Sequence, residues 1–107
     1  MTEPRLKSEI RVSAIVRRAQ SEGVFAAVVR RGDPDAGAIV VKVYLGDRLA
    51  RLFVQARDDS GNPLWREPFE KAAAEAEVDS YLEKEKRFDP DLWIVEIEDR
   101  EGRAFID

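Results

Sequence analysis

The chain contains neither cysteine nor histidine. These absences exclude disulfides, thiol nucleophiles, serine–histidine and cysteine–histidine catalytic pairs, and nearly all zinc sites. General acid–base chemistry would fall to aspartate, glutamate, lysine or tyrosine, and a metal would need oxygen ligands. We find no nucleophile–base pair, no metal-binding pattern and no cofactor fingerprint, so we predict no catalytic residue, no metal site and no cofactor.

Long apolar runs are also missing. No run approaches the ~18 residues that a membrane span needs, and the charged N-terminus lacks the apolar segment of a signal peptide. We therefore predict a cytoplasmic protein with no membrane partner, and the missing cysteine fits a reducing compartment. Residues 1–9, in which Pro4 opposes an early helix, are predicted to form a loose lead-in.

The chain carries no excess of positive charge. Its 107 residues include 18 basic and 22 acidic side chains, which give a net charge of -4. This balance favours solubility and argues against nucleic acid as a partner, because nucleic-acid-binding domains usually present a basic surface. A hydrophobic fraction of 44% suffices for one core, and the length predicts a single domain over residues 1–107.

What the sequence does contain is clear hydrophobic periodicity. A first helix is predicted over 10–22, because Val12, Ile15 and Ala19 fall on one helical face. A second helix is predicted over 71–88, where the residue before a proline ends it. Strands are predicted over 24–31, 38–45, 49–57, 63–69 and 92–98. The fourth of these contains two prolines, so we place it at a sheet edge.

Alternation within the strands predicts a sheet with one apolar face and one wet face. Val41, Val54 and Val95 are predicted on the apolar face, and Lys42 on the wet one. The first three strands are expected to form an antiparallel meander, and the last strand, with Trp93 in the core, to pair inside the sheet. We therefore predict an α+β fold: an antiparallel sheet of four to five strands with two helices packed on one face.

The turn between the first two strands is the sharpest candidate for chemistry. It combines two arginines, two glycines and an Asp-Pro-Asp sequence, and such a turn can hold a phosphate or a carboxylate. Two further arginines near the end of the first helix can join this patch. The predicted ligand-binding residues are Arg17, Arg18, Arg30, Arg31, Asp33 and Asp35. The competing interpretation of the turn is a hairpin turn with solvated charges. The competing interpretation of the four arginines is pairing with Glu22, Glu96 and Glu98 and with the helix dipole.

Two aromatic residues are candidates for an interface. Trp65 lies in a polar segment flanked by prolines, and Tyr44 lies on the predicted wet face. Exposed aromatic and arginine side chains are favoured where proteins meet. The competing interpretation of Trp65 is a lid over the core.

The order of three segments resembles a known family. They are Val12–Arg18, Phe25–Gly37 and Arg87–Asp99. Together they are similar to small alphaproteobacterial proteins catalogued as domain of unknown function 1491, and the likeness covers nearly the whole chain. The resemblance implies a small cytoplasmic bacterial protein, and it brings no activity, substrate or catalytic residue.

We predict from these observations a non-catalytic protein-interaction or accessory module. Its partner is expected to be an unknown protein or a second copy of the chain, bound through an edge strand or through the polar sheet face. The alternative is a binder of a small anion or a nucleotide-type ligand, or an enzyme, that uses the turn from Arg30 to Asp35.

Overall fold

The computed structural model describes residues 6–106. It contains two helices and six strands. In chain order they are α1 (Ser8–Ser21), β1 (Phe25–Arg30), β2 (Ile39–Gly46), β3 (Leu49–Arg57), β4 (Pro63–Arg66), β5 (Ala73–Ala74), α2 (Glu75–Phe88) and β6 (Trp93–Glu98). Both predicted helices and all five predicted strands are present, with shifted ends. Residues 1–5 of the predicted lead-in lie outside the described residues, and α1 begins before the predicted position 10.

Helix α2 begins later than predicted. Ala73 and Ala74 form β5 and pair with Ala50 and Leu49 of β3. The main-chain N–H of Glu75 then donates to the Arg48 carbonyl at 2.8 Å. Alanine favours a helix, but helix propensity is weak and the pairing with β3 overrides it here.

The sheet has the strand order β1-β6-β2-β3-β4, and β5 also pairs with β3. Strand β6 runs parallel to β2, whereas the other pairs are antiparallel. The α+β class and the interior position of the last strand are thus confirmed, and Trp93 is buried in the core. The sheet is mixed rather than purely antiparallel, and it has six strands instead of the predicted four to five.

Strands β1 and β2 do not form a hairpin, which corrects the predicted meander. Strand β6 lies between them, so that Val95 is the partner of Val28 on one side and of Val41 on the other. The prediction failed because strands close in sequence usually pair, whereas here the last strand of the chain lies between the first two. The loop after β1 therefore has to cross the start of β6.

The two helices lie on opposite faces of the sheet, which corrects the prediction that both pack on one face. Helix α1 packs on the face that carries Val41 and Val95. Helix α2 packs on the other face, through Val78 and Leu82. Within residues 6–106, neither helix has the length and apolar character of a membrane span.

The position of Val54 shows why both helices were predicted on the same face of the sheet. Val54 pairs directly with Val40, so its side chain lies on the α2 face and not beside Val41 and Val95. Alternation groups the residues of one strand correctly, but the register between strands decides which faces coincide. The first five residues of β2, starting at Ile39, are all buried, so this strand has no wet face.

Lys42 is the charged residue on the buried α2 face, and it is only 5% exposed. Its ammonium group donates hydrogen bonds to Glu75 and Asp79, both at 2.8 Å, and lies 3.8 Å from Glu96. Burial lowers the pKa of Lys42, but the bonds to Asp79 and Glu75 outweigh burial and raise the pKa above its ordinary value of 10.5. A buried charge needs such partners. The cluster ties α2 to β2, and the predicted wet position of Lys42 is wrong.

Candidate functional site

The loop between β1 and β2 crosses the backbone at the start of β6. The Asp33 N–H donates to the Asp91 carbonyl at 3.0 Å, and the Trp93 indole N–H donates to the Asp33 carbonyl at 2.7 Å. A Cβ atom at Gly32 or Gly37 would overlap the Asp91 carbonyl. Both glycines therefore permit a close approach of two backbones.

The same loop caps the start of α1. The Ser8 hydroxyl donates to the Gly37 carbonyl at 2.6 Å. The Ser8 N–H donates to the Asp35 carbonyl at 3.3 Å, and the Glu9 N–H donates to the Pro34 carbonyl at 3.0 Å. These bonds satisfy N–H groups that the first turn of a helix leaves free. The loop is thereby held between α1 and β6.

Asp33 and Asp35 use their carboxylates within this loop. The Asp33 carboxylate accepts hydrogen bonds from the N–H groups of Asp35 and Ala36 at 3.2 and 2.8 Å, an arrangement that stabilises turns. The Asp35 carboxylate lies 3.4 Å from the Lys7 ammonium. The loop is a crossover rather than the hairpin turn of the competing interpretation, and a ligand at these two aspartates stays a prediction.

Arg17 and Arg31 line one groove between α1 and β1. This α1–β1 groove has a volume of about 280 Å³, and its lining includes Glu9, Val16, Arg17, Val28, Arg31 and Trp93. The Arg31 guanidinium carbon lies 5.1 Å from the centre of the Trp93 ring, and its Nη2 lies 3.0 Å from Glu9 Oε2. Arg17 is exposed, and within the described residues its side chain makes no hydrogen bond or ion pair.

Arg18 and Arg30 lie outside this groove. The Arg30 guanidinium donates to the carbonyls of Pro90 and Leu92 at 3.4 and 3.3 Å. The Arg18 guanidinium donates to the Phe105 carbonyl at 2.9 Å. Both arginines therefore hold distant chain segments together, and of the four predicted arginines the structure brings Arg17 and Arg31 to one groove.

The glutamates proposed as partners of these arginines pair elsewhere. Glu22 lies 3.7 Å from Arg103, and Glu96 lies 3.8 Å from Lys42. Glu98 is exposed at the end of β6. In the part of the chain that the structure describes, no group of three or more acidic side chains has the geometry of a metal site.

Strand β1 has a free edge. Among the residues that the structure describes, it pairs with β6 alone, so its other side lies at the margin of the sheet. Phe25, Val28 and Val29 are 56%, 41% and 59% exposed, and a register shift between Val28 and Arg30 marks a bulge at the end of the strand. Sequence reasoning missed this edge, because an apolar run of this kind is typical of an interior strand.

The sheet face beside α2 is open at β1 and at the Glu98 end of β6. Phe25 pairs with Glu98, and Ala27 pairs with Glu96, so all four side chains lie on the α2 face. Helix α2 covers β3 and β5 instead. Phe25 and Glu98 are accordingly exposed. An apolar strip and two carboxylates thus lie side by side on this face.

The two predicted interface residues are both half-buried. Tyr44 pairs with Glu98 in the register of the sheet, and its hydroxyl accepts a hydrogen bond from the Arg48 N–H at 3.3 Å. Trp65 packs against the core on the α1 face, and the Arg11 guanidinium lies 5.8 Å from its ring centre. These contacts agree with a lid over the core for Trp65, and an interface role for either residue stays a prediction.

Comparisons with known proteins identify one family. The family described as protein of unknown function, DUF1491, matches residues 6–107. A crystal structure of a DUF1491 family protein from Caulobacter crescentus CB15 is 45% identical, with a TM-score of 0.86, and the alignment covers 95% of each chain. An NMR structure of a DUF1491 family protein from the same organism is 43% identical, with a TM-score of 0.85, and covers 97% of this chain and 94% of that one.

A third structure extends the likeness to another organism. The solution structure of protein Atu0922 from A. tumefaciens is 38% identical, with a TM-score of 0.80, and the alignment covers 96% of this chain and 93% of that chain. No curated protein matches the sequence. The resemblance drawn from the sequence is confirmed, and the chain belongs to the DUF1491 family of alphaproteobacterial proteins of unknown function.

Proposed function

We propose that this protein is a non-catalytic interaction module that binds an extended segment of a partner protein as an added strand along β1. Strand addition joins the main-chain groups of a free sheet edge to those of the incoming segment, while side-chain pockets give specificity. We place this activity in the cytoplasm, in keeping with a chain that contains no cysteine.

The observation that carries the proposal is the exposed apolar edge of β1. Natural proteins protect such edges with prolines, lysines, inward charges or very short strands. Strand β1 has six residues and contains neither proline nor lysine. Its one irregularity is the bulge between Val28 and Arg30. A bulge interrupts the ladder, so we expect the added strand to pair mainly with Phe25 to Val28.

The groove beside β1 supports the same proposal. A strand added to β1 places alternate side chains on the two sheet faces. On one face they lie next to the α1–β1 groove, and on the other they lie next to Phe25 and Ala27. Both surfaces are available in the isolated chain, because Phe25, Val28 and Val29 are exposed.

The test is a selection of peptides from a displayed random library against the whole immobilised protein, followed by amide hydrogen exchange of each complex. We expect selected peptides to protect main-chain amides of β1. The double variant Phe25→Lys/Val29→Lys should weaken their binding at least about tenfold, because charge on an edge opposes strand addition.

Phe88→Lys is the matched control, because Phe88 is an exposed aromatic residue at the end of α2. This change should leave peptide binding intact. Peptides that protect α2 or β4 instead of β1, equal loss in both variants, or a library that yields no binder would each overturn the proposal.

A second candidate function is favoured by one observation, which is the presence of Arg17 and Arg31 in the same groove. Two guanidinium groups beside an apolar floor suit a small anion or a nucleotide-type ligand. A thermal-shift series with inorganic phosphate and with nucleotides tests it. A rise in Tm with one of them that the Arg17→Ala/Arg31→Ala double variant abolishes would support anion binding, and no rise with any would reject it.

A further inference from the structure

The α1–β1 groove has a positive rim on an acidic protein. Arg17, Arg31 and Glu9 are the charged residues that line it, whereas the chain as a whole has a net charge of -4. The Arg31–Glu9 pair is solvent-exposed, with side chains 68% and 52% accessible. Such surface pairs contribute little, so Arg31 can exchange Glu9 for an incoming carboxylate.

The opposite face of β1 is acidic along the first half of the strand, and Arg30 lies on the same face at the far end. Phe25 and Ala27 lie beside Glu98 and Glu96 through the β1–β6 register. Glu98 is exposed, and the Glu96 side chain is 30% accessible. A carboxylate on this face of the added strand would lie two strand spacings, about 10 Å, from these like charges, which repel it weakly. Apolar side chains would instead cover Phe25.

The two faces of β1 therefore favour different side chains in an added strand. Resting on the proposed function, we propose that the occupant of the β1 edge is an acidic segment in which carboxylates alternate with large apolar residues. The carboxylates lie on the α1 face, next to Arg17 and Arg31. The apolar residues lie on the α2 face, next to Phe25 and Ala27. Every second residue of the segment is a carboxylate, because the side chains of a strand alternate between the two faces of the sheet.

A second copy of β1 does not have this pattern. Between Phe25 and Arg30 the strand contains only apolar residues and one arginine. Paired with itself, it would bring no carboxylate to the α1–β1 groove. A partner with an acidic segment is thus the better complement in charge.

The experiment uses three synthetic peptides of about six residues, the usual length of a strand. Their sequences alternate Glu with Val, Lys with Val, and Ser with Val. Binding to the whole protein is followed by NMR titration at low and at high salt. We expect the Glu–Val peptide to bind most tightly, and we expect salt to weaken it because the charges are exposed.

Reversing the charge of the two groove arginines is the decisive measurement. The double variant Arg17→Glu/Arg31→Glu should bind the Glu–Val peptide at least about tenfold more weakly. It should gain affinity for the Lys–Val peptide. Arg87→Glu is the matched control, because Arg87 is an exposed arginine on α2, and it should change neither affinity.

The outcomes separate this inference from the proposed function. If the Ser–Val peptide binds as tightly as the Glu–Val peptide and protects β1, the edge binds strands but the preference for carboxylates is wrong. If the protein alone sediments as a dimer that Phe25→Lys/Val29→Lys dissociates, a second copy occupies the edge and the acidic segment is rejected. If no peptide and no library member protects β1, the proposed function itself fails.

Discussion

The two edge strands of the sheet differ in how far they are protected against further pairing. Strand β4 at one edge has four residues and begins with Pro63, and the two-residue β5 pairs with another part of β3. Strand β1 at the other edge has six residues and no proline. Short strands and prolines are devices that prevent further pairing. The comparison teaches that one edge is protected by its sequence, whereas β1 has neither of these two devices.

A glycine substitution in the loop next to each edge strand tests this comparison, and the first of the two should have the largest effect. Gly37→Ala inserts a methyl group into the crossing of the β1–β2 loop over Asp91, where there is no space. We expect it to lower the free energy of unfolding by about 2–3 kcal/mol, as overpacking does, in urea titration. Gly61→Ala in the β3–β4 turn meets no atom within 4 Å but has a φ of +83°, so we expect a loss of about 1 kcal/mol. Equal losses would show that the crossing is not tight.

The attachment of α2 explains why the sheet face is open beside β1 and closed over β3. Lys42→Met removes the cation that Glu75 and Asp79 share. We expect a loss of about 2 kcal/mol at neutral pH. This is less than the loss for a fully buried pair, because both carboxylates are partly exposed. An unchanged urea midpoint would show that the cluster does not hold α2.

The same variant predicts a dependence on pH. The folded-state pKa of Lys42 is raised above 10.5, so its stabilising contribution is complete below that pH. The contribution is lost as the pH rises through the folded-state pKa. The difference in unfolding free energy between the native protein and Lys42→Met should therefore shrink at pH above 10.5. A difference that shrinks on acidification toward neutral pH would contradict this assignment.

Charges added to each edge sharpen the contrast without changing the fold. Val29→Lys and Leu64→Lys both alter exposed residues, so each should change the free energy of unfolding by less than about 0.5 kcal/mol. Light scattering at high protein concentration should show slower association for Val29→Lys. Leu64→Lys should associate like the native protein. The opposite ranking would identify β4 as the open edge.

An arginine lies over a tryptophan near each edge, and the difference between these two contacts should be small. The guanidinium carbon of Arg31 lies 5.1 Å from the Trp93 ring centre, and that of Arg11 lies 5.8 Å from the Trp65 ring centre. Each contact is worth about 0.5–1 kcal/mol at most at an exposed site. We expect Arg31→Ala to cost slightly more than Arg11→Ala in thermal unfolding, because the ring is closer. A larger loss for Arg11→Ala would reverse this order.

Much of the fold could be predicted from local patterns. Periodicity placed both helices and the five longer strands, and the apolar run from Trp93 placed the last strand inside the sheet. The faces could not be predicted, because Val54 and Val41 lie on opposite sides through a register that no single strand encodes. Lys42 was misplaced for a related reason, since its partners lie on a helix far along the chain.

The candidate site was predictable only in part. Arg17 and Arg31 were selected as charged residues near a turn, and their shared groove depends on how α1 packs against β1. Arg30, Asp33 and Asp35 were selected with the same argument, although their side chains hold the loop itself. The free edge at Phe25 and Val29 had no signal in the sequence, because pairing partners are set by the whole chain.

The insertion of β6 between β1 and β2 has a consequence for how the chain matures. Within residues 6–106, the strand that pairs with β1 is made of residues 93–98. During synthesis, β1 therefore has no strand partner until residues 93–98 have emerged from the ribosome. Contacts between residues so distant in sequence form slowly, and strands without partners are prone to aggregation meanwhile. Newly made chains consequently pass through an interval in which chaperones can bind the exposed apolar residues of β1.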